Sequence, residues 1–155
     1  MRITDILTPE RMLCQVQATS KKRVFEYFSK LLASDSSLNS HEVFESLLGR
    51  ECLGSTGLGK GIAIPHARVA QCHVTLAAFV QLECGIDYDA IDKQPVDLLF
   101  ALMVPENSTA EHLEILAQLA DMFSDAKFRE KLRQAHDCVD KFKLLTEWQP
   151  TLTAP

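Results

Sequence analysis

The sequence predicts an α/β domain, a mixed sheet covered by helices on both faces. Three observations carry this. Helix-periodic segments stand before, between and after the strand-like ones, which places helices on both sides of a sheet. Val96 to Val104 is almost wholly apolar, as a strand buried on both faces must be. A tight turn around Asp92 and Pro95 joins it to the strand before, so that pair runs antiparallel.

The elements follow in order. A short segment, Ile3 to Leu7, precedes Pro9, and Met12 to Val16 alternates weakly, as an edge strand would. Ser20 can cap a helix from Lys21 to about Ser34, with Val24, Phe25, Phe28, Leu31 and Leu32 as its buried stripe. After the polar break Asp35-Ser36-Ser37, Asn39 and Glu42 resemble a capping pair. They lead a second helix carrying Val43, Phe44, Leu47 and Leu48. Five of the chain's 6 glycines then fall between Gly49 and Gly61. Ile62-Ala63-Ile64 is a short apolar run stopped by Pro65. Val74, Leu76, Ala78, Val80 and Leu82 alternate, the clearest strand signal in the chain. In the last third, Ser108 to Glu111 fits a capping box. It opens a helix whose stripe reads Leu113, Leu116, Ala117, Ala120 and Phe123. A further helix near Asp125 carries Phe128, Leu132 and Ala135, and a last one Val139, Phe142 and Leu145. A domain over 1–149 and a tail over 150–155 are expected.

Composition narrows the function. The chain has 155 residues, 46% hydrophobic and 24% charged, with a net charge of −5. Disorder is excluded by the apolar content. Nucleic-acid binding is disfavoured by the acidic balance. The longest apolar run, Leu98 to Val104, is far too short to span a bilayer, and no secretory h-region follows Met1, so a cytoplasmic chain without membrane insertion is expected. The 5 cysteines, Cys14, Cys52, Cys72, Cys84 and Cys138, are scattered and lack C-x-x-C spacing, so reduced thiols are expected.

The informative stretch is Arg50 to Arg68, RECLGSTGLGKGIAIPHAR. Gly54, Gly59 and Lys60 match the start of a P-loop, but Gly61 stands where Ser or Thr must hold Mg²⁺. The loop also follows a helix and runs into a strand, the reverse of P-loop context. His66 is the better centre. Pro65 restricts its backbone approach. A glycine-rich loop upstream can form an anion nest, to which Ser55 and Thr56 would add hydroxyls and Arg50 and Lys60 charge. A neutral imidazole beside such a cradle suits phosphoryl transfer. The competing reading is a structural histidine in a turn. His112 lies at one edge of its helical stripe, where it either points into a crevice or is a half-buried histidine bonded to a neighbour. Arg50 either serves the site or closes a helix C-terminus beside Gly49. His73 beside Cys72 offers too few ligands for a metal. His41 and His136 receive no role.

Residues Gly57 to Ala67, GLGKGIAIPHA, resemble the active-site signature of the fructose/mannitol-type enzyme IIA domains of the bacterial sugar phosphotransferase system. Phe79 to Pro105, FVQLECGIDYDAIDKQPVDLLFALMVP, resembles the nitrogen-regulatory branch, and His112-Leu113 fits as well. The resemblance spans roughly residues 3–147. It implies a three-layer α/β/α sandwich with a mixed central sheet in a single domain. It also implies phosphorylation of His66, with His112 and Arg50 as active-site partners and Ser55, Thr56, Gly57 and Gly59 about the phosphate. The phosphate would come from an HPr-like phosphocarrier, with no cofactor or metal at the transfer step. Family precedent places phosphate on Nε2, with Nδ1 held by a main-chain carbonyl. Lys60 departs from the smaller polar residue often found there; a cation so close would favour the phosphorylated form.

Docking of a donor protein requires a shallow surface, expected to be apolar and weakly charged around His66. A regulatory output through phosphorylation-dependent protein binding is the leading expectation. The alternative is a stand-alone sugar-specific enzyme IIA passing phosphate to a fructose- or mannitol-type permease subunit. A pure binding module on the same fold would have lost the histidine.

Overall fold

A computed structural model describes residues 2–34, 38–107 and 109–149. The elements are α1 (Ile3–Ile6), a 3-10 turn (Pro9–Arg11), β1 (Met12–Val16), α2 (Lys21–Ala33), α3 (Ser40–Glu51), β2 (Gly57–Gly59), β3 (Ile62–Ala63), β4 (His66–Val69), β5 (Leu76–Ile86), β6 (Val96–Pro105), α4 (Thr109–Ser124), α5 (Ala126–Gln134) and α6 (Cys138–Glu147). The predicted caps at Ser20 and Asn39 form. Ser20 Oγ accepts the Arg23 N–H, and Asn39 Oδ1 accepts those of His41 and Glu42. Ser108, the expected cap of α4, and the tail from 150 lie outside the described residues.

The sheet has 6 strands in the order β1-β5-β6-β3-β2, with β4 also on β6. β5 and β6 are antiparallel, while β1–β5, β3–β6 and β4–β6 are parallel, so the sheet is mixed as predicted. β1 pairs only with β5, and it forms the expected edge. β3 and β4 follow one another along the same side of β6: Ala63 lies opposite Leu99 and His66 opposite Leu102. They are one strand interrupted at Ile64-Pro65. One face packs on α2 and α3 through residues such as Phe25, Phe28, Leu47, Val80 and Leu99. The other packs on α1, α4, α5 and α6 through Ile6, Phe79, Phe100, Leu119 and Leu132. The result is the three-layer α/β/α sandwich.

Three expectations change. β5 is buried on both faces, since Ala77 and Phe79 are as inaccessible as Ala78 and Val80. Its alternation was therefore a pattern of residue types rather than of exposure, and Val74 lies outside it, exposed. In α4 the inward face is His112, Ile115, Leu119, Met122 and Phe123; Leu113, Ala117 and Ala120 face solvent. In α6 Leu145 is buried as expected, but Val139 is exposed and Lys141 is buried in addition. The aliphatic stem of Lys141 packs inward while its ammonium donates to the Ala135 carbonyl at the end of α5.

The cysteines also depart from expectation. Cys14 on β1 is disulfide-bonded to Cys138 at the start of α6, across a sequence separation of 124. Count and spacing could not reveal a pair that only the packing of α6 beside β1 brings together. Cys52, Cys72 and Cys84 are free.

Candidate active site

The site is assembled from the end of α3, the start of β4 and the first turns of α4. Arg50 sits in the last turn of α3, where Nη1 donates to the Gly54 carbonyl at 2.9 Å. Behind it Glu51 turns inward and is nearly inaccessible. Its carboxylate accepts from the Thr56 amide at 3.0 Å, the Thr56 hydroxyl at 2.7 Å and Lys21 Nζ at 3.0 Å. The buried Tyr88 hydroxyl lies 2.9 Å from Thr56 Oγ1, and Lys21 Nζ sits over the Tyr88 ring. Burial pushes the Tyr88 phenol upward, so it stays neutral. A buried carboxylate is tolerated because each oxygen has a donor. This network fixes the turn that leaves α3 and with it the placement of Arg50.

The glycine segment lies beside the depression at His66 rather than in its lining. The residues lining the depression at His66 include none of Ser55, Thr56, Gly57 or Gly59. Several of their donors bond within the segment's own surroundings: Thr56 N–H and O–H on Glu51, Gly57 N–H on Ser55 Oγ, and Ser55 O–H on the Tyr88 carbonyl. Gly57 is required by close approach, since a Cβ there would lie 2.8 Å from Ala90 Cβ. Gly61, at φ +83°, is required by conformation and by the Arg133 guanidinium packed against it. That guanidinium also grips Asp97 and the Lys60 carbonyl. Lys60 is held through its own N–H on Asp92 Oδ2 at 2.7 Å, and Arg50 and Arg68 are the cations that act on His66. The segment also supports the site through the backbone. β2 pairs with β3, the Thr56 carbonyl accepts the Ile64 N–H, and Ile64 is thereby set in place.

The interruption at Ile64-Pro65 defines His66. Pro65 has no N–H to continue a ladder. The Ile64 carbonyl instead lies 2.8 Å from His66 Nδ1. A carbonyl only accepts, so Nδ1 carries the ring proton and Nε2 keeps its lone pair. The His112 ring stands 5.3 Å away, centroid to centroid, at 53°. His112 is 6% exposed, and its Nδ1 has no hydrogen-bond partner. Both rings open on a depression of about 380 Å³ bordered by Arg50, Leu53 and Arg68, with no carboxylate among its lining residues. A larger hollow of about 450 Å³, lined by Arg2, Gln118 and Trp148 among others, contains none of these groups.

Burial is the first cause lowering the His66 pKa, and Arg50 and Arg68 add to it; the Ile64 carbonyl and Glu51 act in the opposite sense. His112 is pushed down to about 4 by burial first, then by His66, Arg68 and Arg50. Both rings are therefore neutral at pH 7. The consequence for stability has a definite sign. Between the ordinary value of 6.5 and about 4, the unfolded chain binds a proton at residue 112 that the folded chain refuses. Stability is expected to fall as pH drops through that window. Replacing His112→Asn should flatten this part of the curve in urea melts at pH 7 and pH 5, and an unaltered slope would assign the effect to another group.

The structure thus brings His66, His112 and Arg50 together. It also adds Arg68, which the sequence reading missed and which makes the rim basic rather than weakly charged. The available signal was the strand period: two residues beyond His66, Arg68 shares its face, while Ala67 and Val69 point inward.

Fold and site together define a class: three-layer α/β domains that present one uncharged imidazole among cationic groups on an open surface. The family model "Phosphoenolpyruvate-dependent sugar phosphotransferase system, EIIA 2" matches residues 5–148. The chain belongs to this family. It is 44% identical over 150 residues to a nitrogen regulatory protein of Pseudomonas aeruginosa, covering 96% of this chain and 97% of that one. The crystal structure of the nitrogen regulatory protein IIA-Ntr from Neisseria meningitidis superposes with a TM-score of 0.90 at 44% identity, over 93% of this chain and 99% of the other. A fructose-specific EIIABC component of Bacillus subtilis is 33% identical over 136 residues, 87% of this chain but 21% of that protein. Proteins of this family are phosphotransfer components, and the chain is a phosphoryl carrier of that kind. Among the described residues no helix is long and apolar enough to cross a membrane.

Proposed function

We propose that the chain takes a phosphoryl group onto Nε2 of His66 from the phosphohistidine of an HPr-like carrier, and that its phosphorylation state controls binding to regulatory target proteins. The supporting observation is the bond from His66 Nδ1 to the Ile64 carbonyl, which leaves Nε2 unprotonated beside an open, basic depression. The Nε2 lone pair attacks phosphorus as the donor's P–N bond breaks, and the donor ring recovers its electron pair. One P–N bond replaces another. The positive charge that develops on the His66 ring is stabilised by the Ile64 carbonyl. Arg50, already oriented by Gly54, and a ring N–H of His112 face the phosphoryl oxygens. The product adds roughly −1.5 to −2 charge to a surface with neutral rings and two arginines, enough to change which protein faces it. The 44% identity to a nitrogen regulatory protein favours this output.

Incubation with phosphoenolpyruvate and the general donor proteins is expected to install one acid-labile, base-stable phosphate per chain. Phosphorus–nitrogen NMR correlation should locate it on Nε2. Absence of label would end the reading. The second reading, delivery to a fructose- or mannitol-type permease subunit, is favoured by the match to the fructose-specific component. A deletion strain that loses growth on one sugar alone would select it.

A further inference from the structure

Arg68 is placed as the reacting group requires. It lies on β4 two residues beyond His66, on the side of the strand from which Ala67 and Val69 turn away. It borders the depression that both histidine rings share with Arg50. Its charge acts on both rings. Arg23 is paired with Glu26 and Arg133 with Asp97, whereas Arg68 has no ion-pair or hydrogen-bond partner among the described residues. Arg50 is tethered to the Gly54 carbonyl. Three elements therefore meet at the depression that His66 borders: α3 with a tethered guanidinium, α4 with an imidazole, and β4 with an uncommitted guanidinium. A phosphoryl group in transit spreads its charge over three equatorial oxygens. A planar guanidinium can donate to two of them at once.

We propose that Arg68 is a further catalytic residue, whose guanidinium engages the phosphoryl oxygens during transfer to His66 and holds them afterwards. This rests on His66 being the acceptor. Because Arg68 is unpaired and exposed, its side chain gives way while the donor docks and folds over the phosphoryl group as it arrives.

The test is rapid-quench transfer from phosphorylated carrier to the full chain, over a range of carrier concentrations, for wild type, Arg68→Gln and Arg68→Lys. Arg68→Gln is expected to lower the saturating rate by roughly 10²-fold, with little change in the half-saturating concentration. Arg68→Lys keeps the charge but loses the fork, and its rate should fall between the two. The isolated phosphorylated Arg68→Gln chain should lose its phosphate faster, and its phosphorus resonance should shift. Equal thermal midpoints for all three chains would exclude misfolding as the cause. A change confined to the half-saturating concentration would make Arg68 a docking residue and overturn the proposal. So would unchanged kinetics in a wild type that labels at His66, with the acceptor reading intact. A wild type that takes no phosphate would overturn both.

Discussion

His66→Ala is expected to accept no phosphate while melting close to the parent temperature. The ring's one hydrogen bond runs to a carbonyl two residues away in its own chain, and the side chain is only half buried. Removing it deletes one ring contact between layers, to His112 on α4, and no hydrogen bond between them, so the structural cost should stay at about 1 kcal/mol. The chemical loss is complete, because a covalent acceptor cannot be replaced by its surroundings. His112 could be suspected of substituting for it. Its low exposure and depressed pKa leave it neutral, but its recessed position makes it a poor target for a bulky protein donor. Label counted per chain, with the site mapped by mass spectrometry, decides this. Full labelling of His66→Ala would move the acceptor elsewhere. His112→Asn should still label, more slowly, because it removes a hydrogen-bonding ring and keeps the nucleophile.

The second large effect concerns stability. The Cys14–Cys138 bond closes most of the chain into one loop, with a separation of 124 residues. In the chain-entropy model a loop of that size restrains the unfolded state by about 4–5 kcal/mol. At roughly 2–4 °C per kcal/mol for a chain of this length, reduction should lower the melting temperature by on the order of 10 °C. Cys14→Ser with Cys138→Ser should melt where the reduced parent does, and added reductant should leave that variant unmoved. Neither cysteine borders the depression at His66, so phosphate uptake at 25 °C should survive. Alkylation of both thiols in the untreated native protein would refute the bond and the shift together.

Much of the architecture was legible because local chemistry specified it. Ser20 and Asn39 each had an unambiguous helix to cap, and Val96 to Val104 had no polar residue but Asp97 to suggest an exposed face. What failed was phase. α4 carries apolar residues on more than one side, so Leu113, Ala117 and Ala120 offered a plausible stripe that the fold leaves in water. The true stripe runs through His112, and it moves that ring from the edge of the buried face onto it. The cluster of His66, Arg50 and His112 was legible from GLGKGIAIPHA, Arg50 and His112-Leu113 through resemblance. The task of the glycines was not. Their neighbours, Ala90 beside Gly57 and Arg133 beside Gly61, are distant in sequence, and only the folded chain shows that these positions are small for packing. Glu51, Thr56 and Tyr88 were hidden for the same reason. Arg68 needed no distant information; it required reading the residues after Pro65 as a strand.

The gap between β3 and β4 has a mechanical consequence. Ala63 and His66 are both registered on β6, whose residues from Val96 to Val104, Asp97 excepted, are inaccessible to solvent. The His66 ring therefore inherits its coordinates from the innermost ribbon of the molecule, although it opens to the outside. Its aim is not a property of a pliable hinge and should persist until the entire chain melts.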